Sequence, residues 1–249
     1  MRTCLRNTTA IFGREMASFF LSPIAYVVIS LFLLANGWVF YFNANFFQES
    51  PQQIDFVIRA LFNWVPFWTL LLAPVITMRL FAEEKRTGTL ESLMTAPVTE
   101  FQVVAGKFLA AEAFYLLIWL TLLLHLVILE VLGNPDWGPV IAVYVATAAL
   151  GALMLSLGLL ASALTRNQIV AVIVSLVGSF LLLVADMVRR LFPDDSQADR
   201  FFDFVGILGH FGNEFDRGVV DLRFIALYLI GASVFLFFTV KVLEARKWR

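Results

Sequence analysis

The chain has 249 residues, 60% hydrophobic and 15% charged, with a formal net charge of −1 and a mean hydropathy of +0.84. Soluble domains are about 45–50% apolar and about 25% charged, so the composition excludes an ordinary soluble globule. The net charge makes no case for a nucleic-acid partner, and none is expected.

In chain order, the first predicted element is an amphipathic helix over residues 8–22. Ile11, Phe12, Met16, Phe19 and Phe20 recur at helical spacing, with Arg14, Glu15 and Ser18 on other faces. Such a helix suits the cytoplasmic interface of a membrane; the alternative is the start of one long first span. Ser22-Pro23 turns the chain, because proline disfavours helical geometry in the residue before it.

Long runs without Asp, Glu, Lys or Arg follow, at 16–48, 60–78, 137–165, 167–185 and 224–240. A helix needs about 20 apolar residues to cross about 30 Å of hydrocarbon. With a sixth stretch interrupted by Lys107, Glu112, His125 and Glu130, six transmembrane helices are predicted near 23–43, 60–80, 103–131, 139–163, 168–186 and 223–243. Helices rather than barrel strands follow because runs such as LLIWLTLLL (116–124) do not alternate. The fold class expected is therefore all-α integral membrane, as a single domain over 1–249. The first apolar run exceeds the about 7–15 residues of a signal peptide and reads as an uncleaved span. The single Cys4 permits no internal disulfide.

If the N-terminus is cytoplasmic, twelve of the eighteen Lys and Arg residues fall on the inner side. Both termini are then cytoplasmic, and so is the polar island FAEEKRTGTLESLMTAPVTEF (81–101). Glu83, Glu84, Lys85 and Arg86 read as solvated charge, and Thr87 or Gly88, followed by Thr89, as the start of a short helix. Glu91 can reach back to its free N–H groups. Leu90, Leu93 and Met94 form one narrow apolar stripe, and Pro97 stops the turn. Thr99 and Gln102 read as a capping box opening the third span. From these residues alone, the two-turn wedge either rests on lipid headgroups or inserts into a cytoplasmic partner.

Glu112 and His125 are ionisable residues inside a span and so functional candidates. Glu112 either pairs with Arg79 or Lys107 or snorkels; His125 reads as a helix–helix hydrogen bond. Small residues on the fourth span (Ala146, Thr147, Ala148, Ala149, Gly151, Ala152, Ser156, Gly158) read as close packing. The stretch 187–222 mixes aromatics with charge and predicts short outer helices. No catalytic constellation is present: there is no H-E-x-x-H, no G-x-S-x-G and no metal-ligand cluster, so no metal or bound cofactor is expected. Gly106-Lys107 is followed by Phe108 and is no phosphate-binding loop.

The string EEKRTGTLESLMTAPVTEFQVVAGKFLAA (83–111) resembles the cytoplasmic loop of ABC-2-type transporter permeases, and more narrowly of gliding-motility-type ABC exporter permeases. SPIAYVVISLFLLANGWVF (22–40), APVITMRLFAEEKR (73–86), ASALTRNQIVAVIVS (161–175) and HFGNEFDRGVVDLR (210–223) extend the resemblance. It implies the membrane subunit of an ATP-driven exporter in a bacterial inner membrane, with no enzymatic activity of its own. It also implies a cytoplasmic ATPase dimer carrying ATP and Mg, a second permease copy or paralogue, and an auxiliary membrane or periplasmic protein as partners. The loop after the second span is then a coupling helix. Leu90, Leu93 and Met94 are its buried anchors. Glu83, Glu84, Arg86 and Glu91 form a charged rim tied to the interfacial helix (Ile11, Phe12, Arg14, Glu15, Met16, Phe19). The outer segment carries His210, Phe211, Phe215, Arg217, Gly218 and Asp221. The rival readings are an ion-driven secondary transporter and a non-transporting membrane scaffold of an envelope assembly.

Overall fold

The computed structural model describes residues 2–47, 54–89, 98–132, 136–189, 191–193, 196–213, 215 and 218–245, and among these it contains helices and no strands. In chain order they are α1 (Arg2–Leu21), α2 (Pro23–Phe47), α3 (Ile54–Phe62), α4 (Val65–Thr77), α5 (Ala82–Thr87), α6 (Glu100–Leu120) and α7 (Leu123–Leu132). Then come α8 (Trp137–Leu164), α9 (Gln168–Arg189), α10 (Gln197–Val205), α11 (Ile207–Asn213) and α12 (Leu222–Glu244). Among the described residues, six stretches are long and apolar enough to cross a membrane: Pro23–Ala44, Phe56–Thr87, Glu100–Val131, Trp137–Leu164, Gln168–Arg189 and Leu222–Glu244. They coincide with the six spans expected.

The fourth span, α8, is the hub. Within its most hydropathic stretch 72% of residues are buried, against 17% for the first and sixth spans. It packs on α12, α9, α4 and α6. Lipid offers no hydrophobic drive to bring helices together, so close approach depends on small side chains. At Gly151 an added Cβ would lie 2.3 Å from the Tyr115 ring, and at Gly158 one would lie 2.2 Å from Thr77 Oγ1 and 2.9 Å from Ser175 Oγ. The small residues of span four thus serve packing within the chain.

The second span is jointed. Pro66 sits at the start of α4 and Pro74 lies inside it. The Thr77 hydroxyl donates to the Ala73 carbonyl at 2.7 Å, a back-bond that bends helices. The helix stops at Thr77 and resumes at Ala82. The third span opens with both arms of the expected capping box. Gln102 N donates to Thr99 Oγ1 at 3.3 Å, and Thr99 N donates to Gln102 Oε1 at 3.2 Å.

The second and third spans are each 32 residues long. Each has more than the about 20 residues that cross about 30 Å of hydrocarbon as a helix. Their polar ends, carrying Glu83 to Arg86 and Glu100 to Lys107, meet at the same end of the bundle. There α1 lies against α6. Asn7 meets Gln102, Ile11 meets Gly106, Glu15 meets Lys107 and Phe19 meets Phe114. The numbers rise together, so the two helices run in the same direction. The chain bends at Ser22, which makes α1 a helix separate from the first span.

Between the fifth and sixth spans lie the two short helices expected, α10 and α11. Ser196 caps α10 through Asp199 N at 3.0 Å. Arg189 Nε donates to Asp199 Oδ1 at 2.8 Å, and Asp186 Oδ2 accepts from Gly209 N at 2.9 Å. Both tie this segment to the end of α9.

Gly151→Ala is expected to destabilise the protein by about 1–3 kcal/mol through overpacking on Tyr115. Gly13→Ala, where nothing lies within 4 Å of the added carbon, is expected to be neutral or stabilising by up to about 1 kcal/mol. Thermal unfolding of the two variants in detergent checks the contrast.

Candidate functional site

The polar ends of the second and third spans and helix α1 converge on one lysine. The Lys107 side chain is fully buried, with Nζ 2.9 Å from Glu15 Oε1 on α1 and 2.8 Å from Glu84 Oε1 on α5. Arg14, half exposed, spans the same two carboxylates at 2.6 Å and 2.9 Å. Two cations and two anions from three helices therefore form a neutral cluster. The Phe81 ring lies under the ammonium, 5.3 Å from ring centroid to Nζ. An ammonium removed from water is tolerated only when it is paired and hydrogen-bonded, and here both partners are recruited from distant parts of the chain.

This corrects one reading of α1. Glu15 was expected on a polar face; it lies on the buried face with Ile11 and Phe19, because Lys107 stands opposite. Gly106 permits the approach, since a Cβ there would lie 2.8 Å from Ile11 Cγ2. Phe19 stacks on Phe114 at 4.7 Å. Met16 and Phe19 pack against the core, while Phe12 is half-buried.

The stretch 83–86 is likewise not uniformly solvated. It forms α5, in which Lys85 is buried and donates through Nζ to the carbonyl of Ala163. That carbonyl belongs to the last turn of α8, where a cation is favoured by the helix dipole. Glu83 lies 3.9 Å from both Arg79 and Arg86, loose and partly exposed pairs. Gly88, with φ of 75°, closes α5 in the left-handed conformation, as glycine commonly does, and Thr89 beyond it is helical again. Thr87 Oγ1 donates to the Glu83 carbonyl at 2.9 Å and lies 3.0 Å from Thr89 Oγ1. Leu90, Glu91, Leu93, Met94 and Pro97, with the short helix expected of them, lie outside the described residues.

Residue Ser162, which sequence reasoning passed over, fills the joint in the second span. Its Oγ accepts from the amides of Phe81 and Ala82 at 3.1 Å and 3.0 Å and donates to the Met78 carbonyl at 3.2 Å. Phe81 stands at the N-cap of α5 and makes no capping bond of its own. A cap-like serine is thus supplied by another span. The absence of a capping side chain at Phe81 is the signal that could have prompted the search.

Neither partner expected for Glu112 reaches it. Lys107 is held by Glu15 and Glu84. Arg79 donates to Ser22 Oγ at 2.6 Å, and Glu112 Oε2 is buried without a hydrogen-bond partner. His125 makes no helix–helix hydrogen bond through Nδ1; its ring meets Phe40 of the first span edge-on at 5.1 Å. In the segment after the fifth span, His210 is buried. Its Nδ1 lies 2.8 Å from the Tyr228 hydroxyl, and its ring stacks on Phe224 at 3.6 Å. Phe211 and Phe215 are buried 5.4 Å apart, and Gly218 turns the chain with φ of 81°. Asp221 accepts from Arg223 N at 2.8 Å, and its hydrogen bonds with the Arg223 side chain hold its carboxyl below the usual carboxylate range. Arg217 lies outside the described residues. Among the described residues, no group of three or more His, Cys, Asp or Glu could hold a metal.

Lys107→Met is expected to lower stability by about 3 kcal/mol, because it leaves two largely buried carboxylates sharing the single half-exposed Arg14. Adding Glu15→Gln and Glu84→Gln should recover most of that loss. Arg14→Ala, at an exposed guanidinium, should cost no more than about 1 kcal/mol. Denaturation in detergent across the four variants measures each.

A family model described as ABC-2 family transporter protein matches residues 10–194, a stretch that contains α1 from its second half, the whole charged junction and the first five spans. A search of curated proteins finds no match. The matched region covers well over half of the sequence, and the six-span helical architecture of the chain agrees with a membrane permease; the chain belongs to the ABC-2 transporter family.

Proposed function

We propose that this permease is the membrane subunit of an ATP-driven exporter, and that it takes its force from a separate cytoplasmic ATPase docked on residues 83–97. The observation that carries this reading is the junction at Lys107. A docking segment must be rigid at its base to transmit displacement, and the segment that begins at α5 is anchored by charge to α1 and α6. An apolar stripe of Leu90, Leu93 and Met94 with a charged rim has the composition of a small, concentrated interface. Export as the direction is supported by the resemblance of residues 83–111 to gliding-motility-type exporter permeases.

On this reading ATP closes two ATPase subunits, the coupling segments move with them, and two permease copies shift to open a path between them. ATP and Mg reside on the partner. The membrane is the bacterial inner membrane, with both termini in the cytoplasm, the orientation favoured by the distribution of Lys and Arg.

Leu93→Asp buries a charge in the proposed interface. It is expected to weaken ATPase retention by about 2 kcal/mol or more, about thirtyfold in affinity, without loss of membrane insertion. Co-purification of the ATPase on the tagged permease reads the effect; undiminished recovery would refute docking through this segment.

A further inference from the structure

The second span is the obvious route for movement of the coupling segment, since α5 follows α4 in the chain. The bonding says otherwise. Between Thr77 and Ala82 the helix is interrupted, so α5 does not continue the hydrogen-bonded rod of α4. The amides of Phe81 and Ala82 are directed instead at Ser162 Oγ, which also donates to the Met78 carbonyl. One turn further along α5, Lys85 donates to the carbonyl of Ala163. Ser162 and Ala163 are neighbours in the last turn of α8. Both ties are buried, where exchange with water does not weaken them.

From this geometry we infer that Ser162 and Lys85 are positioning residues that lock α5 to the end of the fourth span, so that displacement of the coupling segment is delivered to α8. The consequence follows from the packing. The hub α8 contacts α12, α9, α4 and α6. Gly151 and Gly158 leave no slack against Tyr115, Thr77 and Ser175. A push on its end therefore moves the surfaces of several spans at once, whereas a push on α4 meets a joint. This inference rests on the proposed docking of an ATPase at residues 83–97.

The test uses the permease purified with the ATPase that accompanies it and reconstituted in vesicles. The sole cysteine is removed as Cys4→Ser, and a reporter is placed at the far end of α8 as Trp137→Cys. That reporter lies 25 residues from Ser162, roughly 37 Å along the helix. Its labelling rate with a membrane-impermeant maleimide is compared in ADP and in ATP with vanadate. With Ser162 and Lys85 intact the two rates should differ by about fivefold or more, the lower end of ordinary coupling.

In Ser162→Ala with Lys85→Met the difference should fall below about twofold while the ATPase stays bound. Ser156→Ala should keep the full response. That buried serine, also on α8, bonds only its own helix, at the Leu153 carbonyl 2.7 Å away. A full response in the double variant, or an equal loss in Ser156→Ala, overturns the inference. Should the double variant fail to assemble, Lys85→Met alone decides it, because an undiminished response there overturns it equally. Loss of the ATPase from the unmutated permease would instead sink the proposed function, and with it this mechanism, before any variant is compared.

Discussion

The buried Lys107 ammonium fixes where three helices meet. Leaving a buried charge unpaired costs several kcal/mol, a large fraction of the net stability of a typical domain. The two carboxylates that satisfy it lie on α1 and α5. Once Glu15 must reach Lys107, α1 has to lie along α6, and Gly106 has to be small enough to admit Ile11. Once Glu84 must reach the same nitrogen, the end of the second span is brought against the third. Arg14 closes the ring at the surface and leaves the cluster without net charge.

The same end of the bundle carries a second constraint of a different kind. Interrupting the second span frees backbone groups that nothing in its own sequence can satisfy, and in a dry interior each must find a partner. Ser162 meets three of them. The charged cluster and the serine cap both act on α5, so this short helix is held by α1 and α6 through Glu84 and by α8 through Ser162 and Ala163. Under the docking proposed above, force from an ATPase would enter where the hub meets the N-terminal helix.

Away from this end, the protein relies on close packing. Span four is lined with small residues, and its neighbours press into the spaces they leave. Several Ser and Thr residues of the bundle return a hydrogen bond to their own helix, as Thr69, Thr77, Ser156 and Thr239 do. Glu112 Oε2, like the hydroxyls of Thr147, Ser175 and Ser179, is buried without a hydrogen-bond partner. It contributes no anchor to the junction, although it lies only five positions after Lys107.

What the amino-acid sequence determined by itself was whatever the solvent imposes locally. Hydrocarbon demands about 20 apolar residues per crossing and self-satisfied backbones, so six spans and their helical form were legible from long apolar runs, and the short helices after the fifth from a stretch that mixes aromatics with charge. So was the capping box at Thr99 and Gln102, because both partners lie within one turn, and the bend at Ser22-Pro23, because proline acts on its neighbour. Only the tertiary structure decided which face of α1 is buried, that Lys85 is inside, that Lys107 pairs with Glu15 and Glu84 rather than Glu112, and that Ser162 caps a helix some eighty residues away. Those partners are separated by 23 to 92 positions in the chain. Helical periodicity reports contacts three or four residues apart, and no spacing rule carries information about a charge or a free amide that must be met from another span.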